Sequence, residues 1–485
     1  MHCMSGRLLK SDPDIGPLSG PARCVHLAVR LDYISARMRA VVWNLVTTML
    51  QERGQMTRSR KAPEPKGIPS LRSFLASLEP AEHQEFAARP SSRVANEDAF
   101  SEMKSHILGL YENVEAAHSF VDETGAIFDC IPIEQQPALR GLSEAVPKAP
   151  DLPPIEPADA AETTAQAEQD EKRPRMAGSP LGAHRKDSFG NTMHCPQGTI
   201  PMRRVTLEDL TRFPTLRAFM RKGPGGAGRP PRAVEPATVP ATHRWAHAYQ
   251  NVNNGGGHSY LNLWRPSIGA NQVFSLSQHW YVGGSGGNLQ TAECGWQVYP
   301  GLYGDAQPHL FCYWTADDYT HTGCYNLSCS AFVQISSSFA PGMALGPISI
   351  DGGQQYEIEL AYWHANGRWW LYFNGTQGSN AIGYYPDTLY GTGALKTSAA
   401  EIDYGGETVG TTSFPPMGSG AFANRGWQHA AYQRAIGYWP PPGGTMINAN
   451  LTPSQGWPGC YTSVVDLYAA PWSETEWFGG PGGNC

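Results

Sequence analysis

QVFSLSQHWYVGG (272–284) sets Phe, Leu and Trp at positions 274, 276 and 280, against Ser at 275 and 277 and His at 279. A repeat of two is the period of a β-strand, whose successive side chains face opposite sides of a sheet. On either side the same rhythm returns in SYLNLWRP (259–266), CGWQVYP (294–300), LFCYWT (310–315), AFVQISS (331–337), YEIELAYWH (356–364), RWWLYFNG (368–375) and SVVDLYAA (463–470). Gly, Pro, Asn and Asp turns separate the runs, and no helical stretch interrupts them after His243. Strands at this spacing predict an antiparallel sandwich or barrel.

Within this β region charge is scarce. Residues 243–485 hold 14 Asp or Glu and 6 Lys or Arg, amid many Trp, Tyr and Gly. Two segments, TAECGWQVYPGLYGD (291–305) and AEIDYGGETVG (400–410), each place a carboxylate, Glu293 or Glu407, in an otherwise apolar setting. A Glu that loses water has its pKa raised, so one member of a close pair can keep a proton while the other is ionised. That is the chemistry of a two-carboxylate hydrolase. Period two puts Glu293, Gly295 and Gln297 on one face and Cys294, Trp296 and Val298 on the other. Gly295 then opens the face beside Glu293, Gln297 can hydrogen-bond a bound peptide, and Trp296 goes to the core. The glycine pair 405–406 predicts a bulge or a close backbone approach just before Glu407. Glu401 and Asp403 share the parity of Glu407, and Glu401 is its main rival.

Other chemistries are poorly served. The 15 His include no HExxH, and Cys294 has no identifiable His partner, so no metal and no organic cofactor is expected. A formal net charge of −7 without a basic run argues against a nucleic-acid partner. No segment has the roughly 18–20 apolar residues that cross a bilayer. Ten Cys without CxxC pairs favour disulfides, and sequons begin at Asn326, Asn374 and Asn450, which together point to a secreted or vacuolar protein, here expected to be a monomer. Residues 1–37 supply no signal sequence; a start at Met38 would put Arg39 ahead of AVVWNLVTTML (40–50), an Asn-interrupted apolar run.

At 485 residues the chain exceeds one core. Residues 1–92 form a poorly defined N-terminal region. Residues 93–213 predict a small α+β unit: a helix with apolar positions at Phe100, Met103, Ile107, Leu110 and Val114, the strand AIFDCI, and VTLEDLTRF as a short helix capped by Thr206. Inside that unit residues 144–190, rich in Pro, Ala and Glu, read as a disordered insert. Residues 214–242 carry six Pro and four Gly, a linker to the β domain at 243–485.

Ten motifs make a resemblance specific: NLWRP (262–266), FSLSQHW (274–280), ECGWQVYPGLYGD (293–305), LFCYWTADDY (310–319), TGCYNLSC (322–329), GRWWLYF (367–373), GYYP (383–386), YGGETV (404–409), MGSG (417–420) and GGPGGNC (479–485). They resemble the catalytic domain of the plant neprosin family, glutamic peptidases that cleave after proline. GAIFDCIPIEQQPAL (125–139) and CPQGTIPMRRVTLEDLTR (195–212) resemble the activation peptide of that family. The resemblance implies two packed sheets with a long substrate groove, Glu293 and Glu407 as the catalytic pair (YGGE favours Glu407 over Glu401), and Gln278, Trp280, Gln297 and Tyr404 as substrate-binding residues. It implies the pairs Cys324–Cys329 and Cys460–Cys485, with Cys130 and Cys195 joining the ordered pieces around the insert. Cys294 and Cys312 depart from the family pattern; a hairpin centred near Tyr303 sets them opposite each other, where they form an extra cross-strand disulfide or, left free, stand as two small buried hydrophobes. Cys3 and Cys24 stay unassigned.

The expected function is therefore that of a zymogen hydrolysing proline-containing peptides or proteins in acid. It would be cut by itself within 214–242 and anchored until then by carboxylates such as Glu208 or Asp209. The rival reading is a catalytically inactive sandwich that binds cell-wall polysaccharide or a protein partner through an aromatic groove.

Overall fold

The structure is a computed structural model that describes residues 65–78, 86, 93–140, 145–155, 174–178, 181–182, 184–223 and 242–485. The signal-like run, Cys3 and Cys24, and the linker from 224 to 241 lie outside the described residues. Among the described residues no helix is long and apolar enough to cross a membrane.

Apolar spacing of three and four gives the activation region its main helix. After α1 (Leu71–Ala76) comes α2 (Glu97–Leu110), which buries Phe100, Met103, Ile107 and Leu110 on one face. Asn96 starts α2 by accepting a hydrogen bond from the Ala99 N–H, and Glu97 and Asp98 face the positive end of the helix dipole. The region also holds a three-stranded antiparallel sheet of β1 (His118–Val121), β2 (Ile127–Pro132) and β4 (Thr199–Arg203), in the order β1-β2-β4, with β3 (Arg175–Met176) lying elsewhere. The Cys130–Cys195 disulfide joins two pieces of this sheet region. Two short helices follow, α3 (Leu207–Thr211) and α4 (Leu216–Met220), opened by Thr206 and Thr215.

The β region is two packed sheets. Six strands, β5 (His243–Asn254), β7 (Gln272–Gly283), β8 (Gln290–Val298), β9 (His309–Thr315), β14 (Ala399–Gly410) and β17 (Thr452–Gln455), run in the order β17-β5-β14-β7-β8-β9. The second sheet has the order β10-β13-β12-β11-β6-β15-β19-β18. Its strands are β6 (Gly256–Asn262), β10 (Val333–Gln334), β11 (Tyr356–Ala365), β12 (Arg368–Phe373), β13 (Ala381–Pro386), β15 (Ala431–Tyr438), β18 (Thr462–Leu467) and β19 (Glu474–Gly479), and β16 (Ile447–Asn448) pairs with β15 beside this path. Trp296 enters the space between the sheets and donates its indole N–H to the Asn262 carbonyl at 3.0 Å, as its parity predicts. Gln433 from β15 bonds Ser277 and the Gln278 carbonyl of β7 across the same space, so polar groups in the core are answered from the opposite sheet.

Two expectations need correction. Composition reads the insert at 144–190 as disordered, yet 145–155 and 174–178 lie on the β domain, and 184–190 turns back onto the activation region, where Asp187 Oδ2 accepts from the Val121 N–H at 3.0 Å and Arg185 pairs with Glu123. Leu152 N–H bonds the Thr376 carbonyl at 2.8 Å, the Tyr372 hydroxyl bonds the Pro150 carbonyl at 2.7 Å, and β3 adds a short parallel strand to β11 at Tyr356–Glu357. Composition undervalued the segment because Leu152 and the extended prolines gain their partners from Trp363, Trp370 and Tyr384 of another domain.

Cys294 and Cys312 are directly opposed in the β8–β9 ladder, as predicted, yet both remain thiols. Each is packed as a small hydrophobe in the core, and burial pushes both thiols up, Cys312 to about 12, away from the thiolate that oxidation requires. The bonded pairs are Cys130–Cys195, Cys324–Cys329 and Cys460–Cys485.

Candidate active site

Antiparallel pairing lines up the outward side chains of the six-stranded sheet in rows across β8, β7, β14 and β5. One row is Glu293, Trp280, Asp403, Tyr249; the next Gly295, Gln278, Gly405, His247; the third Gln297, Leu276, Glu407, Trp245. In the middle row Gln278 stands between two glycines. A Cβ on Gly295 would sit 2.0 Å from the Ser277 carbonyl oxygen, and Gly405 has φ of 128°, so neither position accepts a side chain without strain. The gap lets Glu293 and Glu407 reach toward each other over Gln278.

Both carboxylates are fully buried, and Glu293 is the more densely bonded of the two. Glu293 Oε1 accepts from the Thr291 hydroxyl at 2.7 Å and the Tyr319 phenol at 2.7 Å, while Oε2 accepts from the Gln278 amide at 3.1 Å. Tyr319 is held for this contact by a loop in which Asp318 and Tyr319 both have positive φ, 55° and 59°, a conformation costly for a bulky residue. Burial, and then the Glu293 charge, push the Tyr319 phenol well up, so it stays a donor. Glu407 Oε1 lies 2.6 Å from His243 Nδ1 at the start of β5.

A single cation joins the two acids. Lys222 Nζ lies 2.6 Å from Glu293 Oε2, 2.9 Å from Glu407 Oε2 and 3.0 Å from Gln278 Oε1, with the Trp280 ring 5.1 Å away. Lys222 as a whole is 2 % exposed. Burial by itself raises the Glu407 carboxyl, but Lys222 and then His243 outweigh it and hold it below the usual carboxylate range. Lys222 arrives because α4 ends at Arg221, whose extended backbone carries the chain onto the groove. Arginines seat the segment: Arg217 bonds the carbonyls of Tyr319 and Thr320, Arg203 that of Tyr303, and Arg212 that of Gly301.

The groove thus gathers Glu293, Glu407, Gln278 and Trp280 around one point. Gln297 lies on the same face but bonds the Tyr303 hydroxyl at 2.9 Å. Tyr404 is a correction: it has the opposite parity, packs on His279 between the sheets and bonds the Gly437 carbonyl, so it cannot line the groove. Glu401 is opposite Val282, one row beyond Glu293 and away from Lys222. The proposed anchors also change: Asp209 serves the capping box of α3 and pairs with Arg203 and Arg212 of its own domain. Of the sequon residues, Asn450 is exposed, while the Asn326 and Asn374 amides accept hydrogen bonds from the Cys312 and Glu359 N–H groups.

Sequence reasoning missed Lys222, His243, Thr291 and Tyr319. Thr291 had a signal, since it shares the parity of Glu293 on one strand. Lys222 and Tyr319 approach from non-strand segments, which periodicity does not place.

The model of the Neprosin domain matches residues 271–481, and that of the Neprosin activation peptide matches residues 119–250. Among solved structures, scytalido-glutamic peptidase with a transition state analog inhibitor is 10% identical with a TM-score of 0.28, over 48% of this chain and 97% of that one. SCP-B, a member of the Eqolisin family of peptidases in complex with the tripeptide Ala-Ile-His, is 8% identical with a TM-score of 0.27, over 50% of this chain and 100% of that one.

Proposed function

The chain belongs to the neprosin family, and from that premise we propose that it is the zymogen of a glutamic endopeptidase whose acting groups are Glu293 and Glu407. The observation that carries this reading is the shared ammonium: one Lys222 nitrogen touches an oxygen of each Glu, so those two oxygens can hold a single water once the lysine leaves. One carboxylate takes a proton from that water. The hydroxide attacks the carbonyl carbon of the peptide, and the other carboxyl gives its proton to the departing nitrogen as the C–N bond breaks. The pair works with one proton, which places activity below neutral pH.

The Trp280 ring beside the pair offers a flat apolar surface to a pyrrolidine, in keeping with cleavage after proline. Six prolines in 214–242 make the linker a fitting first substrate. Three disulfides and an exposed sequon at Asn450 fit a secreted or vacuolar setting.

The test is acidification of purified full-length protein, sequencing of the new N-terminus and assay on a proline-containing peptide. Glu293→Gln and Glu407→Gln are each expected to lose at least about 10²–10⁴ in rate while keeping the fold. Full activity in either variant rejects the pair. Processing of the Glu293→Gln chain at the wild-type rate rejects self-cleavage.

A further inference from the structure

We propose that His243 is the positioning residue that makes Glu407 the base of the pair and leaves Glu293 as its acid. The inference rests on the two-carboxylate reading above and divides its labour.

His243 is the first residue of β5 and is fully buried, its ring stacked on Trp245 at 5.5 Å and edge-on to Phe274 at 6.4 Å. With Nδ1 2.6 Å from a carboxylate oxygen, that nitrogen carries a hydrogen and donates it to Glu407 Oε1. The other nitrogen, Nε2, is buried with no hydrogen-bond partner among the described residues. What faces it is Gly223 of the activation segment: a Cβ built there would lie 3.4 Å from Nε2. Gly223 also borders a cavity of about 680 Å³ between the activation segment and the loops at 268–273 and 299–301. Departure of the segment therefore uncovers Nε2 to water, the setting in which imidazoles generally accept a second proton in acid. The residue that leaves with the segment, Lys222, is the other cation against Glu407.

The two acids are then left unequal. Glu407 keeps an imidazole that can be cationic, whereas Glu293 keeps Thr291, Tyr319 and Gln278, all neutral donors. A cation at hydrogen-bond distance favours the ionised form more strongly than neutral donors do. The single proton of the pair belongs on Glu293. Around His243 the charged neighbours among the described residues are Glu407 on β14, Lys222 beyond it on the activation segment, and Arg244 on its own strand, whose Nη1 donates to the His243 carbonyl at 2.8 Å. Phe274 and Trp245 bring no charge. Glu407 Oε2, the oxygen turned away from His243, takes the proton of the water; hydroxide adds to the carbonyl carbon, and the Glu293 proton goes to the leaving nitrogen. A processing cut must fall before residue 243 to retain the imidazole, and a cut after Pro240 does so.

The experiment uses full-length His243→Gln and His243→Ala, processed in acid. A trace of mature wild type completes the cut if a variant stalls, and Glu293→Gln treated alike is the blank. Values of kcat and KM on a proline-containing peptide are read across pH. Gln can still donate to Glu407 without charge, so kcat should fall about 10-fold, and Ala about 100-fold, with KM within about threefold. The acid limb, where Glu407 takes up its proton, should move up by about one pH unit, and added imidazole should restore part of the Ala activity. A wild-type kcat and acid limb in both variants overturns the assignment. So does a loss with an unmoved limb and no rescue, which marks a structural role only. If Glu293→Gln and Glu407→Gln are active, the pair itself falls; if they are inactive while the His243 variants behave as wild type, only the present inference falls.

Discussion

Glu357 on the far sheet and Glu407 in the groove are both buried beside a cation, and the two cations differ in kind and in attachment. Glu357 is gripped by Arg434, whose Nε donates to Oε2 at 3.0 Å and whose Nη2 donates to Oε1, while the Tyr432 phenol adds a third bond at 3.1 Å. Arg434 belongs to β15 of the same sheet and lies 4.1 Å over the Tyr260 ring. Asp129 and Arg204 repeat this forked arrangement within the activation domain, with contacts of 2.7 and 2.6 Å. A planar fork fixed on a strand makes a permanent pair. Glu407 shares instead a lysine, a point charge on a flexible stem, delivered by a segment whose covalent link to the domain runs through the proline-rich linker. The difference teaches which buried charge the fold keeps and which it is built to release.

Removing the two cations should separate these roles. Lys222→Met leaves two buried carboxylates without their ammonium, a cost of about 3–5 kcal/mol for breaking such a pair. The expected result in the full-length chain is faster hydrogen exchange across 214–223, by some hundred-fold or more, with processing at a pH where wild type is latent. Arg434→Met should instead lower the global denaturation midpoint and leave exchange at 214–223 unchanged. If Lys222→Met leaves exchange and processing as in wild type, the arginine contacts to the carbonyls of Gly301, Tyr303 and Thr320 hold the segment alone.

Acid should distinguish the two regions next. None of those arginine-to-carbonyl contacts itself titrates, whereas the two groove carboxylates against Lys222 can, so the groove is where a pH dependence of latency is tested. Glu407 is held below its ordinary value by Lys222 and His243 against the opposing effect of burial. A depressed carboxyl contributes stability that is complete above the unfolded value, about 4.3, and is lost as pH falls through the folded one. The grip on 214–223 should therefore be constant from neutrality to about pH 5 and then weaken, by at most about tenfold per pH unit for each carboxylate involved. The measurement is exchange at 214–223 against pH in the Glu293→Gln chain, which cannot cut itself on the proposed mechanism, with and without Glu407→Gln. A grip that weakens as pH rises above 5 would reverse the sign and remove the carboxylates from the switch.

Much of this was legible because strands write their geometry in period two. The parities of Glu293, Trp296 and Gln278 follow from alternation alone, and Gly295 and Gly405 announced the close approach that lets the acids meet. Tyr404 shows how easily a motif outweighs parity: it sits beside the glycine pair, and the same alternation that puts Glu407 on the groove puts it in the core. Cys294 and Cys312 show the limit of register, which sets residues opposite one another without deciding whether they bond. Lys222 left no periodic trace. Its meaning lies in a contact between residues 71 and 185 positions apart in the chain, and only the docking of α4 brings it there.

The smallest effect expected tests whether the neutral donors on Glu293 serve chemistry or latency. Tyr319→Phe removes one hydrogen bond to Glu293 Oε1 and leaves that of Thr291. Lys222 touches the other oxygen, Oε2, so the grip on the activation segment should change by no more than about twofold. Glu293 becomes charged as it gives up its proton, and a hydrogen bond to a charged group contributes about 1.5–3 kcal/mol, part of which Thr291 retains, so kcat of the processed enzyme should fall about tenfold with KM nearly unchanged. Phe keeps the ring against Tyr313, at 6.1 Å in the wild type, and the left-handed backbone at 318–319 is the same for either residue. Loss of packing is thus a poor explanation for any change. A wild-type kcat would mean that Thr291 alone orients Glu293. A loss of a thousandfold or more would mean that the phenol itself meets the substrate, and would move Tyr319 from supporting the acid to sharing in the reaction.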